Sequence, residues 1–406
     1  MSRPRILAFA YACEPGVGSE PGAGWAWANL LAGIGDTWVL TRANNRDAIE
    51  AAGGVRGLRF EYVDLPAWAR RWKRGPRGVR LYSLLWQVGA LRRAFRLRRE
   101  IRFDLVWHLT LANAWLGSLA PLAGAPFVYG PVGGGAGTPA NLRRTLGARG
   151  AVEDHARSIA RCAGRWLNPF ARLAWRRARL ILAQNPETVA WLPSRYRGRA
   201  VVAPNPVLAE PLVPRLRPWS EDGEPTALFA GRLVPWKGAR LAVQAAALAG
   251  WRVLIAGDGP ERDSLEALAD RLGSRDQITF LGRQPRHEVL RIMRERADVL
   301  LFPSLHDEAG WVVMEAVASG LPVVCLDRGG PPVLGGSRAV AVEVGGRERD
   351  VVRRLAAALP EAAALPPAPV AGRRFSLETR RAEIRLLLGD VGLPGGDVVW
   401  WQGEAA

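Results

Sequence analysis

The sequence predicts an α/β protein built from two doubly wound domains. Short apolar runs alternate with amphipathic segments along most of the chain, and many of the runs are rich in β-branched residues. This alternation is typical of parallel sheets joined by right-handed helical crossovers. The pattern occurs as two series, separated at residues 204–225 by a stretch dense in proline and charge. We therefore expect two Rossmann-like domains facing each other across a cleft, where ligands of such sheets bind.

The predicted elements follow in chain order. The strands of the first series are RILAFAYA, TWVLT, LRFEYVDL, DLVWHLT, PFVYG, LILAQ and AVVAPN. Those of the second series are TALFAG, RVLIAGDG, ITFLG, DVLLFPS, LPVVCLD and AVAVEV. Helices are predicted in the second series at 238–248, 261–272, 286–296 and 311–319. The predicted domains are 1–205 and 206–372, and a last helical segment, 373–406, is expected to pack back towards the first domain.

The net charge of +18 is confined to the first half of the chain. Residues 1–205 carry 31 basic and 12 acidic side chains, whereas residues 206–406 carry 25 and 26. Such asymmetry suggests an anionic partner, either nucleic acid or a membrane surface. The three cysteines, Cys13, Cys162 and Cys325, have no CxxC spacing, which disfavours a disulfide framework or zinc site and fits a reducing cytoplasm. The start of the chain mimics a short signal peptide, but EPGVGSEPGAGW follows it, so a first strand is predicted.

Two glycines follow the first strand, in GVGSEPGAGW. Gly22 and Gly24 lie just before an apolar helical stretch, where a backbone without Cβ can approach an anion at a helix N-terminus. A plain tight turn is the alternative interpretation. A dinucleotide site is disfavoured, because it would need GxGxxG and an acid after the second strand, where this chain has TRANNR.

Two cations follow the strand TALFA, in GRLVPWKG. Arg232 and Lys237 are five residues apart around a Pro–Trp turn, so both can reach one diphosphate at a strand's carboxyl end. The alternative is two solvated surface cations.

Three acids follow the strand DVLLFPS, in LHDEAGWVVMEA. Asp307 is predicted in the loop, and Glu315 about one turn into the next helix, facing the cleft; their carboxylates can accept hydrogen bonds from ligand hydroxyls. Glu308 suits the helix N-terminus electrostatically. The alternatives are capping or surface acids and, less favoured beside two cations, a metal site.

His108 ends the strand DLVWHLT of the first domain. A single histidine is more often structural than functional, but its position at a strand's carboxyl end favours the functional interpretation here. The next strand leads into GPVGGGAG at 130–137, which either shapes the acceptor side or is a flexible glycine loop.

These motifs together resemble those of family-4 retaining glycosyltransferases, which have the GT-B fold. The resemblance is strongest at 226–335, where AGRLVPWKG, LIAGDGPERDSL, ITFLGR, LLFPSLHDEAGWVVMEAVASGLPVV and GGPP occur in family order and spacing. In the first domain, GSEPGAGW, HLT and GPVGGG resemble a bacterial polysaccharide-assembly subgroup. The resemblance implies a nucleotide-sugar donor as substrate, no cofactor and no metal.

The resemblance also implies a role for each matching position. Arg232 and Lys237 would hold the donor diphosphate, Glu315 the ribose hydroxyls, and Asp307 the donor-sugar hydroxyls. The remaining positions are the backbone of Ala309, Gly310 and Trp311 along the sugar and phosphate, His108 near the sugar, Gly22 and Gly24 beside the phosphates, and Arg283 in the base-binding loop. One position departs from the family, because the first acid of its E-x7-E motif is Asp307, with Glu308 beside it. Which of the two contacts the sugar stays open.

The resemblance implies transfer of a sugar, with anomeric configuration kept, to a glycan or lipid-linked acceptor in cell-surface polysaccharide or glycolipid synthesis. Between Arg70 and Arg99 lie 11 basic residues and no acid, interleaved with aromatic side chains. We expect this stretch to bind an anionic surface, which predicts a cytoplasmic protein peripheral to the inner face of the bacterial cell membrane; a solvated basic helix is the alternative. A nucleotide-sugar epimerase of the same fold is the nearest rival function, and a nucleic-acid-binding protein a distant one.

Overall fold

The computed structural model describes residues 3–66, 78–214, 224–368 and 370–397. These residues cluster into two compact units. Unit 1 comprises the described residues within Met1–Gly135, Arg161–Ala209 and Ser376–Ala406, and unit 2 those within Ala136–Ala160 and Glu210–Phe375. Residues 136–160 cluster with unit 2, although they lie within the predicted N-terminal domain 1–205.

The first half of the chain contains seven strands in the described ranges. They are β1 (Arg5–Ala10), β2 (Asp36–Thr41), β3 (Leu58–Tyr62), β4 (Leu105–Thr110), β5 (Phe127–Val132), β6 (Ala178–Ala183) and β7 (Ala200–Val202). The α-helices described there are α1 (Ser19–Ala32), α2 (Arg46–Ala51), α3 (Val79–Leu97), α4 (Gly147–Leu167), α5 (Pro169–Arg177), α6 (Pro186–Trp191) and α7 (Ser194–Arg197). Short 3-10 turns lie at Ala43–Asn45, Ala120–Ala123 and Ala140–Leu146.

The second half contains six more strands in the described ranges. They are β8 (Thr226–Ala230), β9 (Arg252–Ala256), β10 (Ile278–Gly282), β11 (Val299–Phe302), β12 (Val323–Leu326) and β13 (Ala339–Val342). The α-helices described there are α8 (Ala239–Ala249), α9 (Arg262–Arg271), α10 (Arg286–Glu295), α11 (Trp311–Ala318), α12 (Pro331–Gly335), α13 (Glu348–Ala363) and α14 (Leu377–Asp390). Turns of 3-10 helix lie at Pro235–Lys237, Arg275–Gln277, Gly336–Arg338 and Ala371–Phe375.

Unit 1 is built on a parallel sheet in the order β3-β2-β1-β4-β5-β6-β7. Its central strands are buried on both faces, so successive residues of β1 enter two separate apolar clusters. Leu7 and Phe9 belong to the cluster that includes Trp86 of α3, and Ile6 belongs to the cluster with Trp27 of α1. Two-sided burial explains why these strands read as continuous apolar runs rather than alternating ones.

Unit 2 is built on a parallel sheet in the order β10-β9-β8-β11-β12-β13. The order runs outwards in one direction from β8 and in the other from β11, so the topological switch point lies between these two paired strands. Ligands of open α/β sheets bind at the carboxyl ends of the strands at this point. The two sheets confirm the predicted fold class, and β1 confirms the predicted first strand.

The described helices lack a membrane-spanning candidate. None of the helices within residues 3–66, 78–214, 224–368 and 370–397 is both long enough and apolar enough to cross a bilayer.

Candidate active site

The site in unit 2 is formed by two loops that leave the paired strands at the switch point. Residues 231–238 follow β8 and residues 303–310 follow β11. The carbonyl of Trp236 joins the loops, because it accepts hydrogen bonds from the Leu305 amide at 2.8 Å and from the Ser304 hydroxyl at 3.1 Å. The motifs GRLVPWKG and LHDEAGW are therefore adjacent in space.

Glycine is required where these loops pass closely. Gly238 has a φ of +75°, and a Cβ on it would lie 2.0 Å from the Pro303 carbonyl oxygen. Gly310 has a φ of +85° and precedes α11 as its N-cap residue. Both backbones adopt a left-handed conformation that side chains oppose, so the glycines allow the sharp entry into α8 and α11.

Lys237 and Asp307, predicted separately as phosphate and sugar ligands, form an ion pair between the two loops. The Asp307 side chain is 14% exposed and that of Lys237 is 26% exposed, so the pair is partly shielded from water. The Lys237 ammonium also lies 5.1 Å from the centre of the Phe302 ring. Each charge stabilises the other. Lys237 can exchange the Asp307 carboxylate for an anionic group of a ligand, and Asp307 can then accept hydrogen bonds from ligand hydroxyls.

Glu308, the acid beside Asp307, has a different partner. Its carboxylate accepts a hydrogen bond from the Arg157 guanidinium at 3.1 Å, and both side chains are about one-quarter exposed. Arg157 lies on α4, in the part of that helix that clusters with unit 2. Glu308 is therefore paired with Arg157, which was not predicted to bind a ligand, whereas Asp307 is paired with Lys237, which was predicted to bind phosphate.

Glu315 lies in the second turn of α11 and is 12% exposed. Its Oε1 accepts a hydrogen bond from Arg286 Nε at 2.5 Å. Burial raises the pKa of Glu315 above its ordinary value, and the Arg286 charge opposes that shift. Arg283, predicted in the base-binding loop, is exposed and lies three residues before α10. The arginine that contacts Glu315 is Arg286, the first residue of that helix.

The other predicted residues of unit 2 surround the entry to α11. Ala309 and Gly310 are buried, and Trp311 begins the helix half-buried. The Val313 amide donates to the Gly310 carbonyl at 2.8 Å, and the partial positive charge of the helix N-terminus favours an anion at this entry. Arg232 is exposed, and no described residue pairs with its guanidinium. It is thus a cation that a ligand can reach.

The glycine pair of unit 1 lies inside α1 rather than before it. This helix begins at Ser19, so the expectation that Gly22 and Gly24 precede the helical stretch was wrong by a turn. A Cβ on Gly22 would lie 1.9 Å from the Val17 carbonyl oxygen, and one on Gly24 would lie 2.0 Å from that of Ala12. The glycines let the first turns of α1 pack against the loop after β1, and their contact with phosphate stays a prediction.

His108 lies on β4 and is 2% exposed. Its Nε2 lies 3.1 Å from the Thr110 carbonyl, which can only accept, so Nε2 carries a proton and Nδ1 accepts from the Ser118 hydroxyl at 2.6 Å. Burial lowers the pKa of His108 to about 4, so the ring is neutral at pH 7. Both ring nitrogens are thus occupied within unit 1. The predicted role of His108 beside the donor sugar stays a prediction.

Arg157 and Arg286, the partners of Glu308 and Glu315, were not predicted as site residues. They lie 151 and 29 residues from those acids, and nothing in their local sequence distinguishes them from the other arginines. Glu20 of GSEPGAGW was not predicted either; its carboxylate accepts a hydrogen bond from the Leu111 amide just after β4. Burial raises the pKa of Glu20. The signal available for Glu20 was an acid in an apolar, glycine-rich stretch.

Among the described residues, no group of three or more His, Cys, Asp or Glu side chains could hold a metal ion.

Comparison with known proteins finds a family match in the second half of the chain. Residues 217–360 match the family described as glycosyl transferases group 1. A 2-deoxystreptamine glucosyltransferase of Streptomyces kanamyceticus is 40% identical over 115 residues, which are 27% of this chain and 30% of that protein. A D-inositol 3-phosphate glycosyltransferase of Mycolicibacterium smegmatis is 44% identical over 112 residues, 26% and 25% of the two chains. The matched region thus spans less than a third of these relatives.

Solved structures of other proteins share the fold over nearly all of this chain. A lipopolysaccharide outer core galactosyltransferase, WaaB, superposes with a TM-score of 0.63 at 14% identity, over 95% of this chain and 99% of that one. Sucrose-phosphate synthase from Thermosynechococcus elongatus gives 0.64 at 18% identity, over 96% and 99%. HepE of Anabaena, solved in complex with UDP, gives 0.58 at 18% identity, over 95% and 100%. The chain has the GT-B fold of two Rossmann-like domains.

Proposed function

We propose that this protein is a retaining glycosyltransferase that takes a sugar from a nucleotide-sugar donor bound to unit 2. The observation that carries the proposal is the Lys237–Asp307 ion pair at the switch point of unit 2. It brings together a lysine, which can bind phosphate, and a carboxylate, which can accept hydrogen bonds from sugar hydroxyls. The match of residues 217–360 to glycosyl transferases group 1 supports the same reaction class. The UDP complex of HepE supports a nucleotide sugar as the donor.

The donor diphosphate would replace Asp307 as the partner of Lys237. Arg232 is exposed and not ion-paired with a described residue, so it can join Lys237 on the phosphates, with the α11 amides beyond them. Arginine supplies a planar fork and lysine a compact charge, and together they match the double charge of a diphosphate. Asp307, released from Lys237, would then accept hydrogen bonds from the sugar hydroxyls. Because Glu308 is already paired with Arg157, we favour Asp307 over Glu308 as the carboxylate that binds the sugar hydroxyls.

Glu315 would accept hydrogen bonds from the two ribose hydroxyls. An ionised carboxylate has lone pairs for both hydroxyls, and partial burial strengthens those bonds. Arg286 assists by favouring the ionised form of Glu315 against the burial that raises its pKa. The base would then lie towards the loop after β10, where Arg283 is exposed.

The proposed reaction keeps the anomeric configuration of the sugar. The acceptor hydroxyl oxygen bonds to the anomeric carbon on the face from which the diphosphate departs, and the bond from that carbon to the phosphate oxygen breaks. The acceptor proton passes to an oxygen of the departing phosphate, so the products are the glycosylated acceptor and a nucleoside diphosphate. Arg232, Lys237 and the α11 amides stabilise the charge that develops on that phosphate.

The acceptor is proposed to be a glycan or a lipid-linked glycan at an anionic membrane surface, in polysaccharide or glycolipid synthesis. The observation behind this part is the outer face of α3. Helical spacing places Leu81, Leu85, Val88 and Phe95 on one exposed stripe, while Trp86 faces the core. Arginines 92, 96, 98 and 99 are exposed along and just beyond the same stripe. Residues 70–77 of the predicted basic stretch lie outside the described residues.

An apolar stripe with flanking arginines suits the headgroup region of an anionic bilayer. We therefore propose that the protein lies in the bacterial cytoplasm, peripheral to the inner face of the cell membrane. Sedimentation with phosphatidylcholine vesicles, with and without phosphatidylglycerol, tests it at low salt. We expect binding only to the anionic vesicles, with a several-fold loss in Phe95→Gln and none in the control Leu248→Gln, which changes an exposed leucine of unit 2. Equal loss in both variants would exclude α3 as the docking surface.

The transfer reaction is tested by first finding the donor and then following its sugar. A thermal-shift screen with UDP-, GDP- and ADP-sugars should give one class that raises the melting temperature, because ligands that bind only the folded state stabilise it. Proton NMR during slow hydrolysis of that donor should then show a first-formed free sugar of the donor's own anomeric configuration. An inverted first product would exclude retention, and an epimerised nucleotide sugar would support an epimerase.

A further inference from the structure

A buried polar chain links the 136–160 segment to the loop that carries Asp307. The Thr138 hydroxyl lies 2.8 Å from Asp154 Oδ1 and 2.9 Å from His306 Nδ1. All three residues are less than 10% exposed. A hydroxyl has one hydrogen, so Thr138 donates to the Asp154 carboxylate and accepts from the protonated Nδ1 of His306. Thr138 therefore fixes the orientation of the His306 ring.

His306 contacts both loops of the site. It immediately precedes Asp307 in the loop after β11. Its ring also stacks on Trp236, with centroids 5.9 Å apart and planes 21° apart, and Trp236 immediately precedes Lys237 in the loop after β8. The orientation of the His306 ring therefore affects the backbone next to Asp307 and, through Trp236, the backbone next to Lys237.

Further contacts bind the same segment to the same region. Arg157 donates to Glu308 at 3.1 Å, one residue beyond Asp307. The Gly137 carbonyl accepts from Arg328 at 3.3 Å. Gly150 of α4 packs so closely on Pro235 that a Cβ there would lie 3.3 Å from the proline ring. The 136–160 segment therefore supports the loop after β11 through His306 and Glu308, and the loop after β8 through Pro235.

We propose that Thr138 and Arg157 are positioning residues that hold the loop 303–310 in its donor-binding conformation. This inference rests on the proposed function for its effect on donor binding, but not for its effect on the loop. A loop ordered in advance does not have to lose conformational freedom when the ligand binds, so its loss weakens binding without removing a ligand contact. Neither residue is proposed to touch the substrate.

The test compares two buried threonines of the 136–160 segment. Thr138→Val removes the hydroxyl that joins His306 and Asp154, and Thr138→Ser keeps it. Thr145→Val is the matched control, because the Thr145 hydroxyl is also buried and donates only to the nearby Leu142 carbonyl, at 2.6 Å. We expect the dissociation constant of the nucleotide sugar to rise about tenfold in Thr138→Val, which corresponds to about 1.4 kcal/mol. In Thr138→Ser and Thr145→Val it should stay within about twofold of the wild-type value. Equal effects of the two valine variants would overturn the inference.

A second readout needs no ligand. Amide hydrogen exchange in residues 303–310 of the free protein should be faster in Thr138→Val than in wild type, and unchanged in Thr145→Val. Equal exchange in both variants overturns the inference whatever the ligand is. Failure of wild-type protein to bind any nucleotide sugar would instead refute the proposed function, and the exchange result would stand on its own.

Arginine variants repeat the test without a buried hydroxyl. Arg157→Gln should raise both the exchange rate of 303–310 and the dissociation constant, about fivefold in the latter. The control Arg144→Gln, an exposed arginine of the same segment that has no ion pair with a described residue, should change neither. If Thr138→Val does not fold, this pair decides the question, and indistinguishable arginine variants would contradict a positioning role.

Discussion

The Lys237–Asp307 pair should couple the two loops of unit 2 before any ligand binds. A double-mutant cycle measures this coupling from the unfolding free energies of wild type, Lys237→Ala, Asp307→Ala and the double variant. Each single variant leaves one charge without its partner, whereas the double variant leaves neither. The single losses should therefore sum to more than the loss in the double variant.

The burial of the pair sets the expected size of the coupling. Two unit charges about 4 Å apart attract by about 4 kcal/mol at an effective dielectric constant of about 20, before the cost of desolvation is subtracted. Fully exposed pairs retain less than about 1 kcal/mol, and breaking a fully buried pair costs about 3–5 kcal/mol. With side chains 26% and 14% exposed, the pair lies between these limits. We expect a coupling of about 1–3 kcal/mol.

Urea unfolding followed by far-UV circular dichroism provides the four free energies. The pair Arg252–Glu224 is a suitable control in the same unit, because its atoms are 2.7 Å apart but its side chains are 50% and 73% exposed. Its cycle should give less than about 1 kcal/mol. A Lys237–Asp307 coupling no larger than that of the control would refute the reasoning that shielding strengthens this pair.

Three further results are expected. Gly238→Ala should cost more than about 2 kcal/mol in urea unfolding, because it adds a backbone clash to a positive φ, whereas Gly250→Ala, with a similar φ and nothing within 4 Å, should cost about 1 kcal/mol; equal costs would contradict the close approach. The pKa of His108 is lowered to about 4 in the fold, so its contribution to stability is complete above about pH 6.5 and is lost as the pH falls to about 4, by up to roughly 3 kcal/mol. His108→Gln should remove that part of the slope in a series of unfolding curves, and an unchanged slope would place the titration elsewhere. Arg286→Gln should raise the pKa of Glu315 further, so calorimetric nucleotide affinity should begin to fall at a higher pH than in wild type; an identical pH profile would exclude the Arg286 effect.

Much of the fold could be predicted because buried parallel strands leave a strong local signal. All 13 described strands coincide with apolar runs, and the four helices predicted in the second half agree with α8, α9, α10 and α11 to within a residue at each end. The main exception is the start of α1, which lies at Ser19. Proline at 21 and glycines at 22 and 24 weaken the helical signal there, and the close approach of the Val17 and Ala12 carbonyls explains why glycine occupies positions 22 and 24.

The site could be predicted in part for a related reason. Both motifs follow predicted parallel strands, so Lys237 and Asp307 could be placed at the same edge of a sheet from the sequence, but their proximity depends on the pairing of β8 with β11, which the structure shows. The choice between Asp307 and Glu308 could not be made, because it depends on Arg157, which tertiary packing brings from far away in the chain. The same limitation hid Thr138, whose hydroxyl acquires its significance only beside His306.

Calorimetric titration of the nucleotide sugar found in the thermal-shift screen is the most direct test of the proposed donor site. Wild-type protein should bind the donor, Lys237→Ala and Glu315→Ala should each bind it at least tenfold more weakly, and the exposed control Arg252→Ala should bind it as wild type does. A loss of about 1.5–3 kcal/mol is expected for removing a hydrogen bond to a charged group. Equal affinity of all four folded proteins would contradict a donor site built on Lys237 and Glu315.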